Sequence, residues 1–278
     1  MDLSSLISSL ELTILELTIL DLTILDLNII GPAFLAGLLV LTTHVPLGKE
    51  VLQRGIIFID LAVAQIAGLG VIAAYNMGWE IDGWQVQVVA ASSAVSGAIF
   101  LRWLEHHWHE SLEALIGVIF ILAASTGILL LANNPHGGEH LRELLTGQIL
   151  WVDIHHLIPV TLLYMVLLGI WFKWRVSSGS LLFYIIFALA VTASVQLVGV
   201  YLVFSSLIIP ALATQTMQNK NRALIFAYIV GALGFALGLL VSAMFDFPSG
   251  PMIVWALVCV ALLYKVLATK TAFIASAQ

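Results

Sequence analysis

Apolar runs of about 20 residues recur from Ile29 to near the C-terminus, separated by short polar stretches. Each run is long enough to cross about 30 Å of hydrocarbon as a helix. None alternates polar and apolar positions as a barrel strand would. Lipid offers backbone groups no partner, so a bundle of self-satisfied helices is the consistent reading. The pattern predicts spans over about 29–47, 56–76, 85–104, 112–132, 154–172, 180–197, 199–216, 222–244 and 251–269. The stretch from Leu181 to Thr216 carries no charge and exceeds one crossing, so it must fold back or lie partly re-entrant. Gly199 and Pro210 are the positions where it can break, since Gly loosens a helix and Pro removes a donor. The expected fold is an all-α polytopic transmembrane bundle of about eight or nine spans, broken or re-entrant near Gly199–Pro210.

Composition strengthens that picture. Hydrophobic residues make up 61% of the chain and charged residues 9%, well under the roughly 25% charge of soluble domains. Acidic residues before the first span, Asp2, Glu11, Glu16, Asp21 and Asp26, supply most of the net charge of −6. The remainder is nearly balanced and has no nucleic-acid footprint. Residues 1–28 form a repetitive acidic appendage with the five-residue units LELTI, LELTI, LDLTI and LDLNI; residues 29–278 form the membrane domain. A period of five builds no helical stripe, and four units are too few for a repeat fold. Nothing there carries chemistry. The N-terminus lacks a basic n-region, so no secretory signal is expected. Cys259 stands alone, which excludes a disulfide within the chain.

Orientation follows from the basic residues. With nine spans, Lys49, Arg54, Arg102, Lys173, Arg175, Lys220, Arg222, Lys265 and Lys270 fall on one side, and Arg142 alone on the other. That bias predicts an external N-terminus and a cytoplasmic C-terminus in a bacterial inner membrane. A single long pass through 181–216 would split the basic set, so the fold-back is favoured.

Chemistry is sparse. No G-x-x-x-x-G-K-[ST] loop, nucleophile elbow or H-E-x-x-H is present, so the chain has no P-loop and no catalytic motif. No enzyme activity and no permanently bound cofactor are expected. Asp60 lies six residues past Arg54, roughly 9 Å along a helix axis. A carboxylate at that depth is a functional candidate by default; the alternative is a salt bridge or an interfacial cap. Gln65 is a modest polar lining nearby. His136, Glu139 and His140 lie together in an outer turn leading into a short amphipathic helix, Glu139 to Ile149, with His155 and His156 following near Asp153. Imidazole and carboxylate suit Zn, Mn or Fe as divalent ions; a solvated loop that meets a partner is the alternative. The inner Glu105–Glu110 segment is as rich in histidine but reads better as an interfacial belt around Trp108, and His44 as a packed or interfacial histidine. Gly231, Gly234 and Gly238 support tight helix packing or dimerisation.

From about Gly31 to Leu267 the chain resembles the permease subunits of the zinc/manganese/iron class of ABC importers, the ABC-3 type. Four ordered segments carry the resemblance: Leu47–Gly70, "LGKEVLQRGIIFIDLAVAQIAGLG"; Glu113–Leu131, "EALIGVIFILAASTGILLL"; His136–Leu150, "HGGEHLRELLTGQIL"; and Val198–Thr214, "VGVYLVFSSLIIPALAT", followed by "FDFPSGPMIV" at Phe245–Val254. The resemblance implies a homodimeric metal path, a separate cytosolic ATPase subunit and an extracytoplasmic metal-binding protein. It places Asp60 at the family's second-helix aspartate. The family's histidine four residues on is Ala64 here, with Gln65 beside it. That loss favours an oxygen-tolerant ion such as manganese or iron, while the outer histidines favour zinc; a metal chelate is the alternative cargo. The segment before the "VGV" span, Phe172–Gly179, is shorter than the family's ATPase-docking connection. A gradient-driven carrier or channel would need a relay of intramembrane carboxylates, and the spans offer Asp60 with Glu113 near a helix start. A non-transporting scaffold has only the short Phe172–Gly179 segment in its support.

Overall fold

A computed structural model describes residues 27–79, 83–132, 134, 137–174 and 180–276, and the side chains of all of these but 27, 140 and 269–276. The five-residue repeat before Leu27, His136 and residues 175–179 lie outside the described residues. Among the described residues ten α-helices follow one another: α1 (Leu27–Arg54), α2 (Ile59–Asn76), α3 (Trp84–His107), α4 (Leu112–Leu131), α5 (Gly137–Thr146), α6 (Ile154–Lys173), α7 (Leu181–Val198), α8 (Val200–Ala213), α9 (Lys220–Phe245) and α10 (Ser249–Ser276). Single 3-10 turns precede α4 and α6. Among the described residues, eight helices are long and apolar enough to cross a membrane, all but α5 and α8.

The predicted spans and the observed helices agree closely, with two differences. First, α1 does not stop near Leu47 but continues to Arg54, carrying both Pro32 and Pro46 inside it. Second, α8 has 14 residues, roughly 21 Å at 1.5 Å per residue, and is shorter than the hydrocarbon thickness. Between α7 and α8 the break falls on Gly199 alone, at φ 80° and ψ 161°, a conformation open essentially to glycine. The chain folds back there. Tyr184 at the start of α7 lies beside Arg54, whereas Leu207, halfway down α8, is already against Gly48.

Burial sorts the helices. α7 is the most enclosed, with 67% of its apolar window buried, against 17% for α6 and 22% for α4, which sit at the rim. Phe183, Tyr184, Phe187 and Val191 of α7 pack into one core with Val40 of α1, Ala64 of α2, Leu101 of α3 and Leu202 of α8. Exposed apolar residues such as Leu129, Met165 and Leu262 are the surface expected of a helix that faces lipid rather than a defect. The small-residue stripe of α9 is consumed within the chain: Gly231 receives Leu41 of α1, and Gly234 and Gly238 receive Leu257 and Ile253 of α10. It is a packing stripe.

The two ends of the bundle are distinct. At one, Lys49 Nζ donates to the Lys220 carbonyl at 3.5 Å and Tyr264 Oη donates to Met217 Sδ at 3.0 Å. Arg54, Arg102, Lys173, Lys220 and Arg222 all fall at this end. At the other, Asn76 Nδ2 donates to the Leu130 carbonyl at 3.1 Å, and the turn after α5 is threaded between Gly199 and Gly250.

Candidate functional site

Asp60 is the second residue of α2, in a first turn that no side chain caps. An acidic residue there is favoured by the helix dipole. It is fully buried, and neither carboxylate oxygen has a hydrogen-bond partner. The ion pair of this region joins Arg54 to Glu105 and leaves Asp60 out. The bridging role weighed from sequence is therefore not the one the carboxylate plays. Glu113, at the start of α4, lies near the backbone of Ile57 and Phe58, and its Oε2 is buried without a hydrogen-bond partner.

Helical period then separates neighbours. Asp60, Ala64, Ala67 and Val71 follow the buried stripe of α2, while Leu61 and Gln65 turn to a cleft of about 600 Å³ between α2, α4, α8 and α10. Tyr201, Phe204, Ser205 and Trp255 line its other walls, and Leu141 and Leu145 of α5 roof it. Gln65, Tyr201 and Ser205 are the polar side chains on this surface. Ala64, where an imidazole would stand one turn above Asp60, faces a narrower gap with Val195 and Val200.

The outer ligands predicted from sequence are only partly placed. α5 runs Gly137–Thr146 rather than Glu139–Ile149, because Gly147 ends it in a left-handed turn at φ 69°. Glu139 lies in its first turn and is exposed; His140 is next along the same helix, and His136 is outside the described residues. Among the described residues no three His, Cys, Asp or Glu side chains converge on a metal site. Asp153 caps α6 by accepting from the His155 N–H at 3.3 Å. In the inner segment His107 Nδ1 donates to the Trp103 carbonyl at 2.8 Å, and its ring lies 4.7 Å from the Trp103 ring. That is an interfacial aromatic cluster.

Two polar groupings were not visible in the sequence. His44 is fully buried; its Nδ1 donates to the Val40 carbonyl at 2.9 Å and Nε2 has no partner. Beside it, Tyr164 Oη meets Ser194 Oγ at 2.5 Å and the Ala190 carbonyl at 3.1 Å, with the Thr43 hydroxyl close by. The second grouping is Arg54 with Glu105 and Tyr184. Arg54 sits at a helix end like many interfacial arginines, so only the folded neighbourhood distinguishes it.

The architecture is shared with solved transporters. The structure described as PsaBC from Streptococcus pneumoniae in complex with Fab superposes with a TM-score of 0.70 at 18% identity, covering 86% of this chain and 91% of that one. An inward-facing conformation of a putative metal-chelate type ABC transporter gives 0.61 at 18% identity, covering 86% and 85%. In sequence the chain is 26% identical over 260 residues to the high-affinity zinc uptake system membrane protein ZnuB of Buchnera aphidicola subsp. Schizaphis graminum, covering 85% of this chain and 97% of that protein. It is 25% identical over 228 residues to the manganese transport system membrane protein MntC of Listeria innocua, covering 75% and 79%. The profile of the ABC 3 transport family matches residues 26–268. This multi-pass membrane chain belongs to the ABC 3 transport family.

Proposed function

We propose that the chain is the membrane permease of an ATP-driven importer for a divalent transition metal, zinc, manganese or iron, working as a homodimer in a bacterial inner membrane. A cytosolic ATPase supplies the energy and an extracytoplasmic metal-binding protein delivers the cargo. The observation that carries the reading is Asp60. A fully buried carboxylate with both oxygens unpartnered is costly in lipid unless it meets a cation during its working cycle. Gln65 lines the adjoining cleft, and His136, Glu139 and His140 form the outer station where the ion first meets this chain. The basic end is cytoplasmic, in keeping with the nine-to-one distribution of Lys and Arg.

A gradient-driven carrier has less support, since it would need a relay of intramembrane carboxylates and Glu105 is tied to Arg54. The test is reconstitution of the purified chain with its ATPase in proteoliposomes. Metal uptake should require ATP and rise with the loaded binding protein, and Asp60→Asn should cut uptake while assembly stays intact. Uptake that proceeds without any ATPase would sink the reading.

A further inference from the structure

The exposed side of α3 forms one continuous stripe. Val88, Ser92, Ser96, Ile99 and Trp103 recur at three- and four-residue spacing and all reach the surface, which puts them on one helix face. The two serines on it turn their hydroxyls back into the helix: Ser92 Oγ donates to the Val89 carbonyl at 3.0 Å and Ser96 Oγ to the Ser92 carbonyl at 2.8 Å. A hydroxyl bonded to its own helix needs no water, so the stripe suits contact with hydrocarbon. Exposed tryptophans bound it, Trp84 at one end and Trp103 at the other, about 28 Å apart at 1.5 Å per residue. That distance matches the hydrocarbon thickness, whose two edges tryptophan favours. Trp103 therefore lies at headgroup level in the leaflet next to the basic end.

At that level the stripe opens into a groove of about 750 Å³ between α3 and the start of α7, lined by Ile99, Arg102, Trp103, His106, His109 and Leu181. The Trp103 ring is held in place by its neighbours, 5.8 Å from Phe100, 5.3 Å from Trp108 and 4.7 Å from His107. Glu105 also borders the groove, but both its oxygens are taken, Oε1 by Arg54 Nη2 and Oε2 by the Tyr184 hydroxyl at 2.9 Å. The Arg54 charge thereby balances that of Glu105. Arg102 is left over: it is half-buried and makes no hydrogen bond or ion pair among the described residues. Its guanidinium carries a permanent charge and five N–H donors, and the imidazoles of His106 and His109 add donors on the same wall. The groove thus offers a cation and several donors, with its bordering carboxylate already paired.

We propose that this groove binds the headgroup phosphate of an anionic phospholipid, with Arg102 as its charge partner, His106 and His109 as further donors, and an acyl chain lying along the stripe from Ile99 to Val88. A groove between spans that is basic at headgroup depth and continues into an apolar stripe is complementary to both parts of such a lipid. Free phosphate would gain nothing from the stripe. The test counts the lipids retained by the purified full chain in dodecyl maltoside, by native mass spectrometry. Neither ATPase nor metal is present, so the outcome is independent of the cargo and energy source proposed above. Phosphatidylglycerol, phosphatidylcholine and inorganic phosphate are the probes. The wild type should retain phosphatidylglycerol several-fold more tightly than phosphatidylcholine and hold it against an excess of inorganic phosphate. Arg102→Gln should weaken phosphatidylglycerol binding about fivefold and leave phosphatidylcholine unchanged. Arg222→Gln, which removes an exposed cation of the same end outside the groove, should bind phosphatidylglycerol as the wild type does. Equal retention of the two lipids by the wild type overturns the proposal, as does an equal loss in both variants or displacement of the lipid by inorganic phosphate. A change of oligomeric state in Arg102→Gln overturns it too, since the face would then belong to a second copy of the chain.

Discussion

Gly147 and Gly199 cross backbone to backbone, so that a Cβ added to either would strike main-chain atoms beside or within the other. Both have positive φ, 69° and 80°. The crossing locks the turn after α5 against the α7–α8 break, and Gly250 closes the same knot from α10 against Thr146. Gly199→Ala and Gly147→Ala should each destabilise the bundle by at least about 2 kcal/mol, since the left-handed penalty alone is about 1–2 kcal/mol and the clash adds to it. Gly169→Ala, with ordinary φ and no neighbour near the added carbon, is the neutral control. Thermal unfolding in detergent decides; equal melting of all three variants would remove the crossing from the fold's essential contacts.

Asp60 predicts an opposition between stability and transport. Its carboxylate is buried without a partner, and an unsatisfied buried polar group costs about 1–3 kcal/mol. Asp60→Val should therefore melt at or above the wild-type temperature while losing metal uptake. Zinc or manganese should raise the melting temperature of the wild type more than that of the variant, which keeps only the outer ligands. A variant that melts well below the wild type would mean that the carboxylate has a structural partner.

The Tyr164 hydroxyl and its ring should separate cleanly. Tyr164→Phe loses the bonds to Ser194 and Ala190, but Ser194 Oγ still donates to the Ala190 carbonyl at 2.6 Å, so the loss is held to about 1 kcal/mol. Tyr164→Ala empties a fully buried ring site and should cost about 3–5 kcal/mol. Denaturant titration of the two variants measures the gap. Similar losses would indicate that the hydroxyl network, rather than the ring, holds α6 to α7.

Much of the fold was legible because hydropathy in a membrane protein reports element and length together. The fold-back at Gly199 was readable from charge, as a single pass would have split the basic residues between two sides. What escaped was tertiary. The first span was expected to end near Leu47, yet α1 runs on to Arg54 with Pro46 inside it, because a proline inside a long packed helix loses one donor without losing the helix's neighbours. The glycines of α9 could have served a dimer or the chain itself, and only Leu41, Ile253 and Leu257 lying against them decide it. At the site, Asp60 and Gln65 stood out as polar residues in an apolar run. The turn of helix that sends one inward and the other to the cleft follows from spacing, but the identity of each wall does not. Glu105 carried no signal, since its partners lie 51 and 79 residues away.

Ala64 supplies the sharpest test of cargo. It stands four residues after Asp60 on the same buried stripe of α2, a spacing that places side chains on one helix face. Ala64→His would set an imidazole above the unpaired carboxylate and offer a borderline ligand beside a hard one, a combination that suits zinc better than manganese. The narrow gap facing Ala64, bounded by Val195 and Val200, must widen to admit the ring, so the variant should lose about 1–3 kcal/mol in the absence of metal. Zinc should then restore more of its melting temperature than manganese does, and zinc uptake should gain on manganese uptake when both are supplied. The comparison is run as metal-dependent thermal shift together with competitive uptake in proteoliposomes. If zinc and manganese shift the variant equally, Asp60 and residue 64 do not share an ion, and the cargo meets α2 along its Gln65 face instead.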